Sequence, residues 1–101
     1  MFVAVYRWKL KKGKEVQFRK AWSAVTLALR QNHGSLGSRL HQAEDGTWAA
    51  YAQWPDKKSW GTPHPLDEAG QAARLAMRDA VEDKFPDLYL TVTDDFLLPA
   101  S

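Results

Sequence analysis

Arg39 and His41 stand two residues apart in the stretch GSLGSRLH (34–41), and on an extended chain that spacing turns both side chains to one face. A guanidinium stabilises an oxyanion as it forms, and an imidazole takes or returns a proton, so the pair suits proton abstraction from a phenol or enol. If Asp45 and Gly46 form a tight two-residue hairpin turn, Arg39 and His41 share their face with Trp48, Ala50, Ala52 and Trp54. The alanines leave room there and the indoles offer stacking surface to a flat molecule. Tyr6 and Trp8 of the first strand join that wall, and the Tyr6 hydroxyl offers a second means of handling a proton. Trp22, Trp60 and His64 are further candidate contacts, the last in the proline-flanked loop GTPHP (61–65) that can overhang a pocket mouth. The expected catalytic residues are thus Arg39, His41 and Tyr6, and the expected substrate-binding residues Trp8, Trp22, Trp54, Trp60 and His64. Each also has a plain structural role open to it: indoles fill cores, Arg39 and His41 can pair within a dimer, and a loop histidine can face water.

Other chemistries find less support. Cysteine is absent, which removes disulfides, thiolate nucleophiles and Cys-based metal sites and is compatible with a reducing cytoplasm, the expected location. His33, His41 and His64 have no metal-ligand spacing with one another or with Asp and Glu, so no metal is expected. No Ser-His-Asp motif and no paired carboxylates point to hydrolysis. The glycines of GSLGSRLH follow a helix and lead into a strand, the reverse of the loops that cradle phosphate at a helix start. A net charge of +2 gives little attraction for phosphates. Trp48, Tyr51 and Trp54, three apart, alternate faces, unlike the shared face of an RNA-stacking sheet; nucleic-acid binding is not expected. The apolar run Met1–Tyr6 is too short to span a membrane, and no membrane partner is expected.

These residues need a scaffold, and hydrophobic periodicity outlines one. The chain of 101 residues, 45% apolar, fits a single domain over 1–101. FVAVYRWKL (2–10) reads as a strand, closed by Lys12 and Gly13, with Phe2, Ala4, Tyr6 and Trp8 on one face. From Lys14 the period changes: Phe18, Ala21, Trp22, Val25 and Leu29 mark an amphipathic helix ending at His33, with Gly34 as its cap. Strands follow from Gly37 to Ala43 and from Thr47 to Trp54. Asp56 caps a short turn through Trp60, a second helix runs from about Leu66 to Lys84, and a long last strand occupies 87–99, bending near Asp94 and Asp95. The order β-α-β-β-α-β is that of an α+β, ferredoxin-like fold: a four-stranded antiparallel sheet with both helices on one face. Its other face carries apolar residues and needs a cover, the simplest being a second copy of the chain.

With VYRWKLKKGKE leading into the helix of Phe18 and Trp22, and with GSLGSRLH, EDGTW and YAQWPDKKSW after it, the chain resembles the antibiotic biosynthesis monooxygenase (ABM) family of dimeric α/β barrels over nearly its whole length. The resemblance implies a homodimer of face-to-face sheets, with a pocket in each subunit between its own sheet and helices. It also implies oxidation of a quinol-like or polyaromatic substrate by O₂ with no metal or flavin cofactor. The haem-degrading branch uses an asparagine where this chain has Tyr6, and a later histidine than His64, the last in this sequence, which disfavours haem oxygenation. The expected function is therefore cofactor-independent monooxygenation of a phenol-like small molecule. In that reading the substrate loses a proton and its carbanion meets O₂, with Arg39 holding the oxyanion and His41 or Tyr6 the proton. A non-catalytic homodimeric small-molecule binder of the same fold is the alternative.

Overall fold

The structure, a computed structural model, describes residues 1–98. Its elements are β1 (Phe2–Leu10), α1 (Glu15–Asn32), β2 (Gly37–Gln42), β3 (Trp48–Trp54), α2 (Lys57–Gly61), α3 (Glu68–Ala80), β4 (Val81–Lys84) and β5 (Leu88–Thr91). The alternation of β1 and β3 sets the core. Phe2, Ala4 and Trp8 of β1 and Trp48, Ala50, Ala52 and Trp54 of β3 are buried on one sheet face, the face that α1 and α3 cover. Trp8, Leu10, Trp48 and Ala50 pack there with Phe18 of α1 and Ala80 of α3. Phe18 meets Trp8 edge-on at 5.1 Å between ring centroids, a favourable aromatic geometry. The helices are tied to each other by polar contacts as well, Lys14 Nζ and Gln17 Nε2 both donating to Asp79 Oδ2.

Helix ends follow their local chemistry. At the end of α1 the N–H groups of His33 and Ser35 donate to the Leu29 carbonyl, and Gly34 takes φ +76°, a left-handed cap of the kind its residue type favours. Asp56 caps α2 in a reciprocal box, accepting from the Ser59 N–H while its own N–H donates to Ser59 Oγ. The Ser59 N–H, and after it the Ser59 hydroxyl, both donate to Asp56 Oδ1 and hold the Asp56 carboxyl below the usual carboxylate range. Asp67 caps α3 by accepting from the Gly70 N–H at 2.8 Å.

All strand pairings are antiparallel, in the order β2-β3-β1-β4, with β5 also paired to β1. Two boundaries differ from the sequence expectation. The second helix stops at Ala80, and Val81–Lys84, expected as its last turn, is β4, paired with Trp8–Leu10. The last strand is only Leu88–Thr91, paired with Phe2–Val5, and residues 92–98 are not strand; position 99, the expected end, lies outside the described residues. β4 and β5 therefore occupy one edge of β1 in succession, joined through the Phe85 N–H donating to the Arg7 carbonyl. The β-α-β-β-α-β expectation holds, with its fourth strand broken in two.

The β2–β3 hairpin carries a correction with consequences for the site. The Ala43 N–H donates to the Thr47 carbonyl and the Gly46 N–H to the Ala43 carbonyl, with Gly46 at φ +87°. That is a three-residue loop, Glu44–Gly46, rather than a two-residue turn. One extra loop residue shifts the register by one and exchanges the faces. Arg39 therefore lies opposite Tyr51 and His41 opposite Ala49, on the sheet face turned away from the helices and not beside Trp48, Ala50, Ala52 and Trp54.

Candidate active site

Between the covered sheet face and the helices lies a cavity of about 610 Å³, within the range of small-molecule sites. β1 contributes Tyr6 and Trp8, α1 Trp22, β3 Trp54, and the α2–α3 region Trp60 and His64. The structure thus brings together six of the eight residues expected from the sequence. Arg39 and His41 are exposed and line instead an adjoining groove with Tyr51, Gln53 and Leu97, which meets the cavity at Trp22, Thr26 and Ser38.

Tyr6 is the polar centre of the aromatic wall. Its Oη accepts a hydrogen bond from Trp60 Nε1 at 2.8 Å, which leaves the hydroxyl's own hydrogen for another acceptor. Burial pushes the Tyr6 phenol above its ordinary value, against the opposing effects of the Trp60 bond and the Lys84 charge; the hydroxyl is protonated at neutral pH. Trp60 is fixed in turn by ring contacts with Phe2 at 5.2 Å and Tyr89 at 4.9 Å. His64 stacks on Trp54, 4.7 Å between centroids and 19° from parallel. Its Nε2 lies 2.8 Å from the Ser59 carbonyl oxygen; a carbonyl only accepts, so Nε2 carries hydrogen and Nδ1 is the acceptor of the neutral ring. His33 meets His64 edge-on at 5.2 Å and donates from Nε2 to the Pro65 carbonyl at 2.7 Å, so the proline-flanked loop is held against the end of α1.

The cations of the cavity are Arg74 and Arg78 of α3 and Lys84 of β4, none of them among the residues expected from the sequence. Lys84 Nζ lies 5.6 Å from the Tyr6 ring centroid. The helical spacing of Arg74 and Arg78 is visible in the sequence, but nothing there shows that they line the cavity. Lys84 reads from sequence as the end of a helix, which gives its side chain no defined direction. Among the described residues no three His, Cys, Asp or Glu side chains gather as a metal site requires, and no helix is long and apolar enough to cross a membrane.

The family model described as "Antibiotic biosynthesis monooxygenase" matches residues 1–62, from β1 through α2. The chain belongs to that family. No curated protein matches its sequence. Among solved structures, this ABM protein superposes on Rv0793 from Mycobacterium tuberculosis with a TM-score of 0.73 at 12% identity, covering 95% of this chain and 98% of that one. It superposes on SnoaB, a cofactor-independent oxygenase from Streptomyces nogalater, with a TM-score of 0.72 at 13% identity, covering 94% and 95%. A conserved protein from Methanosarcina mazei gives 0.71 at 11% identity, covering 88% and 89%. At such identities the likeness establishes the ABM fold and leaves the chemistry to the residues of the cavity.

Proposed function

We propose that the protein is a cofactor-independent monooxygenase acting with O₂ on a phenol- or quinol-like aromatic molecule bound in this cavity. The observation that carries the reading is the Tyr6 hydroxyl, oriented by Trp60, inside a cavity walled by four indoles. Support also comes from the family and from the cofactor-independent oxygenase SnoaB of the same fold. Flat rings stack against the indoles, and the Tyr6 hydroxyl donates to a ring oxygen on which charge develops. His64 Nδ1 is the proton acceptor, and the cationic side of the cavity favours the deprotonated ring. That electron-rich anion passes an electron to O₂, and the resulting pair combines to a peroxide at the ring carbon. Loss of water then turns a ring CH₂ into a carbonyl. One oxygen atom enters the product and the other leaves as water with both hydrogens, so the substrate supplies all the electrons.

Two copies acting as a homodimer are part of the same proposal. Leu88 and Leu90, partners of Val5 and Val3 in the sheet, are 56% and 39% exposed on the face opposite the helices, and a second sheet would cover them.

An oxygen electrode tests the reading. Purified protein with a chelator and no added flavin should consume one O₂ per molecule of a hydroxyanthrone. Tyr6→Phe should slow this by roughly two orders of magnitude. Flat traces across a panel of such phenols, with saturable binding retained, would establish the non-catalytic binder instead.

A further inference from the structure

We infer that Asp87 is a positioning residue for the Tyr6 hydroxyl, acting on it through Tyr89 and Trp60. The inference rests on Tyr6 being the polar group that meets the bound molecule, and it gives a reason for the fourth strand being broken where it is. Trp8 pairs with Lys84 of β4 and Val5 with Leu88 of β5. The two β1 residues between them, Tyr6 and Arg7, are therefore faced by three, Phe85, Pro86 and Asp87. An extra residue in one strand of a pair bends that strand and re-aims a side chain, and Pro86 has no N–H with which to continue the ladder. The break thus falls beside Tyr6, and Asp87 is its last residue.

Both oxygens of the Asp87 carboxylate are occupied. Lys84 Nζ donates to Oδ1 at 2.8 Å and the Tyr89 hydroxyl to Oδ2 at 3.1 Å, and the Asp87 side chain is only 18% exposed. Tyr89 is tied to Asp87 by its hydroxyl while its ring lies against Trp60 at 4.9 Å and stacks on Phe2 at 6.1 Å between centroids. Trp60 Nε1 in turn donates to Tyr6 Oη at 2.8 Å, and Lys84 Nζ stands 5.6 Å from the Tyr6 ring centroid. Tyr6, Trp60, Tyr89, Asp87 and Lys84 so form a closed circuit of side chains. Its weak member is Tyr89, exposed on a strand of four residues, whose hydroxyl has no other hydrogen-bond partner among the described residues. An ionised acceptor that is itself fixed by a cation holds such a hydroxyl more firmly than a neutral one. The Asp87 charge also adds to burial in pushing the Tyr6 phenol up, so the same carboxylate favours the hydroxyl form that donates.

NMR of the indole N–H groups tests the relay. The protein has five tryptophans, and the signal of Trp60, whose hydrogen is the one shared with Tyr6 Oη, is identified by its loss in Trp60→Phe. Asp87→Asn should shift that signal and speed its solvent exchange about five-fold, the difference between a charged and a neutral acceptor in the link behind it. The indoles of Trp8 and Trp48 should be unmoved. Tyr89→Phe, which removes one oxygen and keeps the ring, should have the same effect, and combining it with Asp87→Asn should add nothing, because both cut one link. Asp87→Glu keeps the carboxylate and should restore most of the protection. A Trp60 signal unmoved in Asp87→Asn or in Tyr89→Phe, an acceleration shared by all the indoles as general loosening would give, or a Glu variant no better than the Asn variant would overturn the inference. If Asp87→Asn failed to fold, Tyr89→Phe would decide alone. Oxygen uptake is not read in this experiment, so failure of the oxygenase reading and failure of the relay are seen separately.

Discussion

Tyr6 couples the chemistry of the cavity to the stability of the fold. Its pKa is raised above the ordinary tyrosine value chiefly because burial penalises the phenolate. Below about pH 10 the group is protonated in both folded and unfolded chains and contributes no pH dependence. As pH rises past that point the unfolded chain releases its proton first, so the folded state binds more protons and stability falls until the folded pKa is passed. Urea midpoints should accordingly be level from neutrality to the ordinary tyrosine pKa and then decline. Tyr6→Phe should flatten part of that decline, the remainder belonging to Tyr89, whose pKa is raised by burial and by Asp87, and to Lys9, whose pKa is raised by its bond to Glu82. A decline of the same depth in Tyr6→Phe would mean that the Tyr6 hydroxyl is freely solvated. Arg39 illustrates the opposite case, a residue with suitable chemistry on the wrong face: its partner across the hairpin is Tyr51, and the cavity takes its charge from α3 and β4.

The elements were legible in proportion to how local their causes are. Helix α1 followed from a 3.6-residue period and from Gly34, whose φ of +76° is the left-handed cap that residue type suggests. An added Cβ at Gly34 would meet nothing within 4 Å, so Gly34→Ala should cost only backbone strain, about 1 kcal/mol; a chemical-denaturation midpoint measures it, and no change would place the end of the helix elsewhere. Helix α2 was equally readable because Asp56 and Ser59 cap it from within its own sequence. What could not be read depended on distant partners. Nothing in the sequence around Ala80 breaks a helix, and VEDK becomes strand because the exposed edge of β1 at Trp8–Leu10 accepts its backbone. The hairpin loop differed from expectation by a single residue, and because side chains alternate along a strand, that residue decided the face of every β2 side chain. The aromatic part of the site survived since Tyr6, Trp8, Trp54 and Trp60 stand on elements whose faces are set by burial. The cationic part did not, since Lys84 acquires its direction only from pairing with Trp8.

For the molecule as a whole, one sheet face is covered by helices and the other carries Leu88 and Leu90 at the surface; Phe96, Leu97 and Leu98 of the following segment are exposed as well, at 93%, 75% and 90%. So much apolar area in a chain of this size calls for a partner. Light scattering at micromolar concentration should return twice the 11.5 kDa of a single chain; a single-chain mass persisting at high concentration would remove the face-to-face barrel. The break between β4 and β5 bears on how the cavity breathes. Trp60, which orients Tyr6, leans on Tyr89 of β5, and β5 is fastened to the sheet by four residue pairs along one edge, its residues all exposed. Short, exposed edge segments open at a small fraction of the global unfolding free energy. In a single chain the aromatic wall is therefore anchored to a short, exposed edge strand, and a second sheet packed over Leu88 and Leu90 would hold that strand down, so that pairing of two copies would also steady the contact between Trp60 and Tyr6.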